Sequence, residues 1–210
     1  MPQSVAAMEV RRALADLAEV RGRLATVQRF DGYSGKAAIA SGLTAVFAGI
    51  VQALSVPQPR SVAERQTYLL IWLTCLGCAL AINYGAIVAW RVRNRGPQAA
   101  VQFRTVGMSI LPAVAAGGVI TLALSLRGLT DLLPGMWCAT YALGLFASRS
   151  IVPRNVIFIA VAFGAIGAVL LLAPAPSALA WWIMPVAFGI GQIAIGTTVL
   201  DDPAHERNHR

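Results

Sequence analysis

The sequence predicts an all-α polytopic membrane protein, with six transmembrane helices preceded by a cytoplasmic amphipathic helix. Three observations predict it. Of 210 residues, 57% are hydrophobic and only 12% charged, about half the charged share of a soluble domain. Six stretches, 37–56, 68–90, 106–126, 132–148, 155–175 and 179–200, carry no Asp, Glu, Lys, Arg or His. At the chain's overall charge share roughly fifteen charged residues would fall in them by chance. Finally, the basic residues gather in alternate loops, which is how multi-pass proteins mark the cytoplasmic side.

The first element precedes the membrane. From Met8 to Phe30, the apolar residues Val10, Leu14, Leu17, Val20, Leu24, Val27 and Phe30 recur at steps of three and four, the period of an amphipathic helix. Arg12 with Asp16 and Glu19 with Arg23 lie one turn apart and add a few tenths of a kcal/mol each. Such a helix buries its stripe on the inner leaflet, on a second copy, or on a cytoplasmic protein partner bound through residues 8–30. Phe30-Asp31-Gly32-Tyr33-Ser34-Gly35 then forms a hinge and places two aromatics at the inner interface. Residues 1–36 are thus the helix and hinge, 37–200 the bundle and 201–210 a cytoplasmic tail. The polar first 34 residues do not read as a cleavable signal peptide, so the first span serves as the anchor.

Most of the charge-free stretches are about twenty residues long, the length that crosses a bilayer core. The fourth, 132–148, is the shortest and opens with Pro134-Gly135. Five spans is therefore the alternative count, with this segment not crossing fully. Small residues repeat at four-residue steps: Ser41, Ala45 and Gly49 in the first span, Ala81, Gly85 and Ala89 in the second, Ala113, Gly117 and Thr121 in the third, Ala160, Gly164 and Ala168 in the fifth, and Ala187 with Gly191 in the sixth. Small residues let helices approach closely in lipid, which predicts a bundle with faces left for a homo-oligomer. Pro112 and Pro185 lie within spans and free backbone carbonyls there.

With the first 36 residues inside, the cytoplasmic side collects fourteen of the seventeen Arg and Lys residues, and Arg60, Arg65 and Arg127 fall outside. Both termini are expected in the cytoplasm. Sixteen Arg against one Lys, with abundant Ala, suggests a bacterial chain and hence the cytoplasmic (inner) membrane. The loops lack aromatics interleaved with their arginines, so the charge of +8 reads as topology and headgroup anchoring rather than nucleic-acid binding. Trp72, Trp90, Trp137, Trp181 and Trp182 are expected to form the interfacial belt.

Polar side chains within the spans are few. Asn83, Tyr84 and Gln192 lie slightly inward of mid-membrane, and burial in hydrocarbon requires Asn83 and Gln192 to find partners, each other among them. An interhelical hydrogen bond is the ordinary role and lining a ligand path the alternative. Pro185, Gly189 and Gly191 make the most irregular stretch of any span and the first place to seek a ligand. No titratable Asp, Glu, Lys, Arg or His lies in a span, which disfavours proton or ion coupling.

Two patterns resemble chemical motifs. His205-Glu206-Arg207-Asn208-His209 has zincin spacing but follows a proline at a fraying end, with nothing to enclose a metal. Cys75-Leu76-Gly77-Cys78 has redox spacing inside an apolar helix, where packing is the expected role, as it is for Cys138. No metal site, cofactor or catalytic constellation is expected, so an enzyme is disfavoured.

The helix Leu14-Ala15-Asp16-Leu17-Ala18-Glu19-Val20-Arg21, the segment Arg29-Phe30-Asp31-Gly32-Tyr33 and the six spans together resemble a family of uncharacterised bacterial six-span inner-membrane proteins with an N-terminal amphipathic helix. The resemblance implies no activity and no functional residue. The expected function is a non-enzymatic binding, regulatory or scaffold protein of the membrane with a cytoplasmic docking helix. The alternative is a small uncoupled transporter or exporter of an apolar or neutral molecule.

Overall fold

Each charge-free stretch coincides with helix. The computed structural model describes residues 33–149, 153, 155–172 and 177–201, all helix or short connection with no strand among the described residues. The expected helix at 8–30 and the tail beyond Asp201, with its two histidines, lie outside the described residues. Helix α1 spans Gly35–Ser55, and its Ser34 cap accepts the Ala37 N–H at 3.3 Å. Helix α2 spans Val62–Arg93 and opens on a capping box: Ser61 Oγ accepts the Glu64 N–H, while Glu64 Oε2 accepts from the Ser61 and Arg60 N–H groups at 3.0 and 2.7 Å. Those backbone donors hold the Glu64 carboxyl below its ordinary range.

Helix α3, Pro97–Leu126, begins with proline at its first turn and carries Pro112 inside. It ends where Gly128 takes a positive φ of 72°, with the Gly128 and Leu129 N–H groups returning to Ser125 and Leu124 carbonyls, a left-handed stop that glycine makes without strain. A 3-10 turn at Thr130–Leu132 leads into α4, Leu133–Ala147, followed by α5, Val156–Leu172. After a 3-10 turn at Ser177–Leu179, a π-helical segment at Pro185–Ile190 runs into α6, Gly191–Leu200. Proline cannot donate to the preceding turn, which is a recognised cause of such widening.

Two of these helices, α1 and α2, are long and apolar enough to cross a membrane; Leu111–Leu126, Val156–Leu172 and Pro185–Leu200 are shorter apolar helices. Helix α2, with 32 residues, is about 48 Å long at 1.5 Å per residue. Helix α4, with 15, reaches about 22 Å, short of a roughly 30 Å hydrocarbon core.

The connections gather at two ends. At one, the Trp181 N–H donates to the Pro57 carbonyl at 3.0 Å, and Arg65 lies 3.0 Å from Asp131. Arg65 and Asp131 are paired by proximity rather than by an aligned hydrogen bond, since Asp131 Oδ1 has no hydrogen-bond donor. At the other end, Tyr33 packs against Ala38, Val156, Ile195 and Val199. Tyr33, partly buried, thus packs its ring on the end of the bundle where α1 begins.

Helix α1 is central. Its Gly35, Gly42 and Gly49 lie against the last helix: a Cβ on Gly42 would stand 2.7 Å from the Gly189 carbonyl, one on Gly35 2.6 Å from the Gly196 carbonyl, and one on Gly49 would collide with the Pro185 ring. The adjacent face of α1, through Ser41, Ala45, Ala48 and Gln52, meets α2 and the Ser177–Leu179 turn. Helices α4 and α5 make a second close pair, in which a Cβ on Gly167 would stand 2.9 Å from the Ala139 nitrogen. The buried stripe of α5 is Val156, Ala160, Phe163, Gly167 and Leu170. Ala168 is exposed, so the four-residue stripe expected there gives way to one that keeps the helical period of 3.6. Ala81, Gly85 and Ala89 of α2 are likewise exposed, with open space around Gly77 and Gly85.

Large apolar side chains point outward from α1 to α5: Leu54 is 84% exposed, Leu126 79%, Phe158 73% and Leu172 86%. Inside lie Tyr68, Phe163, Leu133, Gln52 and Ser41.

Gly42→Val places branched carbons against backbone atoms that cannot yield without separating α1 from α6. Stability of the solubilised protein is expected to fall by about 1–3 kcal/mol, as for overpacked cores. Gly85→Ala, in open space, is expected to hold stability or raise it by up to ~1 kcal/mol through helix propensity. Thermal unfolding followed by circular dichroism measures both, and equal losses would contradict the glycine seam.

Candidate functional site

The residues singled out in the sequence occupy three separate surfaces. Asn83 sits on α2 where it crosses α1: its Nδ2 donates to Ser41 Oγ at 2.5 Å and to the Ala79 carbonyl at 2.9 Å. Ser41 Oγ in turn donates to the Ala37 carbonyl at 2.9 Å. The amide is thereby engaged by a neighbouring helix, the ordinary fate of a polar group in an apolar bundle.

Gln192 lies on α6 and faces α4, not Asn83. Its Nε2 donates to the Tyr141 hydroxyl at 2.7 Å, while Oε1 is buried with no donor. Around this pair Tyr141, Phe163 and Phe188 form an aromatic cluster with ring centroids 4.7–5.4 Å apart, within the range of favourable edge and offset contacts. Gly191 exists for that cluster, because a Cβ there would stand 2.5 Å from the Phe163 ring. Gly189 lets Val46 approach, and Pro185 nests on Gly49. The irregular stretch thus fits its neighbours closely at all three positions. Of the partners open to them, Asn83 and Gln192 do not take each other: each bonds a hydroxyl on another helix.

Tyr84 points elsewhere. Together with Phe103, Arg104, Gly107, Met108, Leu111 and Val114 it lines an open groove of about 460 Å³ between α2 and α3. The groove is apolar apart from Arg104 and the tyrosine hydroxyl.

A third polar arrangement was underweighted by sequence reasoning. Gln52 is fully buried; its Nε2 donates to the Leu179 carbonyl at 2.9 Å, and its Oε1 accepts from Trp72 Nε1 at 2.8 Å. One amide ties α1, α2 and the Ser177–Leu179 turn together. Trp72 is 4% exposed, Tyr68 stacks nearly parallel on Trp137, and Trp137 donates to Thr121 at 2.8 Å. Trp72 and Trp137 are therefore packed inside rather than in an interfacial belt, because each indole N–H finds an internal acceptor. Trp181 and Trp182, 45% and 53% exposed, keep the outward position expected of them. The signal for the internal pair was Gln52 itself, an amide that a charge-free span must bury and satisfy.

Cys75 and Cys138 are buried, Cys78 is exposed, and all three are free. Among the described residues no group of three His, Cys, Asp or Glu side chains converges as a metal site would require. The zincin-like motif at 205–209 lies outside those residues. The arrangement supports packing and apolar contact; it brings no nucleophile to a base. The chain matches no known protein family, no curated protein and no solved structure.

Gln52→Leu leaves the Trp72 N–H and the Leu179 carbonyl without partners and is expected to cost about 1–3 kcal/mol per orphaned group. Gln192→Met removes an amide whose Oε1 already lacks a donor, so its effect is expected to be smaller. Denaturant unfolding of the two variants ranks them, and a larger loss for Gln192→Met would contradict this account of the two amides.

Proposed function

We propose that the chain is a six-span protein of the bacterial inner membrane, with both termini in the cytoplasm. On this reading it acts without catalysis, as a binding, regulatory or scaffold protein whose 8–30 helix docks a cytoplasmic partner. The observation that carries the membrane reading is the inverted surface. Leu54, Leu126, Phe158 and Leu172 face outward, while Gln52, Asn83 and Gln192 bond inside or between helices. In water an apolar exterior of this extent would aggregate; in lipid it is solvated. The arginine bias supports the orientation. The bonds of Gln52 and Asn83 to neighbouring elements favour a bundle that holds a shape over one that conducts a solute. The alternative, an uncoupled path lined by Asn83, Tyr84 and Gln192, has less support, since those residues sit on three surfaces.

Reporter fusions at the two ends test the topology, and both are expected to report cytoplasm. Deletion of residues 1–30 tests the function. It is expected to remove a cytoplasmic protein that co-purifies with the full chain, while the shortened chain still resists alkaline carbonate extraction. A partner list unaffected by the deletion would defeat the docking role.

A further inference from the structure

Between α2 and α3, among the described residues, the bundle leaves an open groove. Gly35, Gly42, Gly135, Gly167 and Gly196 bring backbones together, but Gly107 in the groove, like Gly77 and Gly85 on α2, has nothing within 4 Å of where a Cβ would stand. The groove extends along α3 from Phe103 and Arg104 through Met108 and Leu111 to Val114. Ten residues from Arg104 to Val114 correspond to about 15 Å of helix, half of a roughly 30 Å hydrocarbon core and so the depth of a single leaflet. Its lining is apolar along that length, and it ends at one guanidinium.

Among the described residues the charge around that end is mostly positive, with Asp201 at the close of α6 its one carboxylate. Arg91, Arg93 and Arg95 lie in the last turn of α2 and the connection to α3. Among the described residues no carboxylate pairs with Arg93 or Arg104, and Glu64 and Asp131 lie at the far end of the bundle. Arg91 and Arg95 donate to the Asn94 and Val92 carbonyls at 2.9 and 3.4 Å, which orders the connection while keeping its charge.

We infer that this groove is a binding site for an anionic phospholipid of the inner leaflet, with one acyl chain along Met108, Leu111 and Val114 and the phosphate at Arg104. The inference rests on the membrane reading above and deepens it by naming a ligand. Basic pockets between helices on the cytoplasmic side suit such headgroups, and an arginine at the base of an apolar groove reaches the headgroup layer by laying its methylenes along the chain. The Tyr84 hydroxyl, on the facing wall, supplies a second polar group near the charged end. A water-soluble anion would gain the arginine but leave the apolar wall unfilled; a zwitterionic lipid would fill the wall but bring a cationic group beside four arginines.

Native mass spectrometry of the full chain tests this, in detergent micelles doped with equal amounts of dioleoyl phosphatidylglycerol and dioleoyl phosphatidylcholine. The wild-type chain is expected to retain one phosphatidylglycerol in preference. Arg104→Gln is expected to lower that preference roughly fivefold, the effect of one arginine near an anionic surface. Gly107→Trp, which fills open space, is expected to reduce retention of both lipids. Equal retention of the two lipids by the wild-type chain, or a preference untouched by both variants, would overturn the site. So would displacement of the lipid by glycerol 3-phosphate, which would mark a free-anion site. Carbonate extraction of the same membranes separates the failures. A chain that stays inserted without selecting a lipid removes the groove alone; a chain released into the wash removes the membrane reading with it.

Discussion

The bundle depends on how closely α1 approaches the last helix. Gly35, Gly42 and Gly49 recur every seven residues, and opposite them stand Gly196, Gly189 and Pro185. Seven residues are nearly two helical turns, so these glycines stay on one seam while the helix turns beneath them. Close backbone contact and the dispersion it allows hold the pair. With α1 fixed in this way, its other face is presented to α2. Ser41, Ala45 and Gln52 then meet Asn83, Tyr68 and Trp72.

The polar groups act as registration devices on top of this packing. Gln52 satisfies both ends of its amide on two different elements, so sliding α1 against α2 by one residue would break two bonds. Gln192 satisfies one end only, and its neighbourhood is held mainly by Tyr141, Phe163 and Phe188. The two ends of the bundle are accordingly fixed by different means, an amide clasp near Leu179 and aromatic packing nearer Tyr33. The π-helical turn at Pro185 joins them, and it is tolerated because Gly49 leaves room for the ring.

Helix positions were legible because the helices exclude charge, and charge exclusion is visible residue by residue. Partners were not, for reasons the individual residues make plain. Ala81, Gly85 and Ala89 satisfy the same four-residue rule as Ser41, Ala45 and Gly49, yet the first set faces outward and the second inward: spacing defines a face without saying what meets it. The seven-residue glycine repeat was present in the sequence and is the better pointer to the seam. Trp72 and Trp137 show the opposite limit, since the preference of tryptophan for interfaces is overridden once Gln52 and Thr121 accept its N–H inside. Asn83 and Gln192 were correctly expected to need partners, but which hydroxyl each would find depends on helix order, which pattern alone does not carry.

Helix order also explains why the open groove lies where it does. The glycine seam commits α1 to the last helix, and the Gly135–Gly167 contact commits α4 to α5. Helix α3 packs on α4 through Ala113, Gly117 and Thr140, and α2 packs on α1. The remaining boundary, between α2 and α3, has no opposed small residues, and the side chains that face it are large: Tyr84, Phe103, Met108 and Leu111. Such side chains hold two helices apart, so this boundary stays open from Phe103 to Val114. The short connection from Arg93 to Pro97 fixes its arginine-rich end while leaving the rest to be filled from outside the chain. Among the described residues, the wall formed by Tyr84, Phe103, Met108 and Leu111 is apolar and open, and the arginines of the Arg93–Pro97 connection stand at its end.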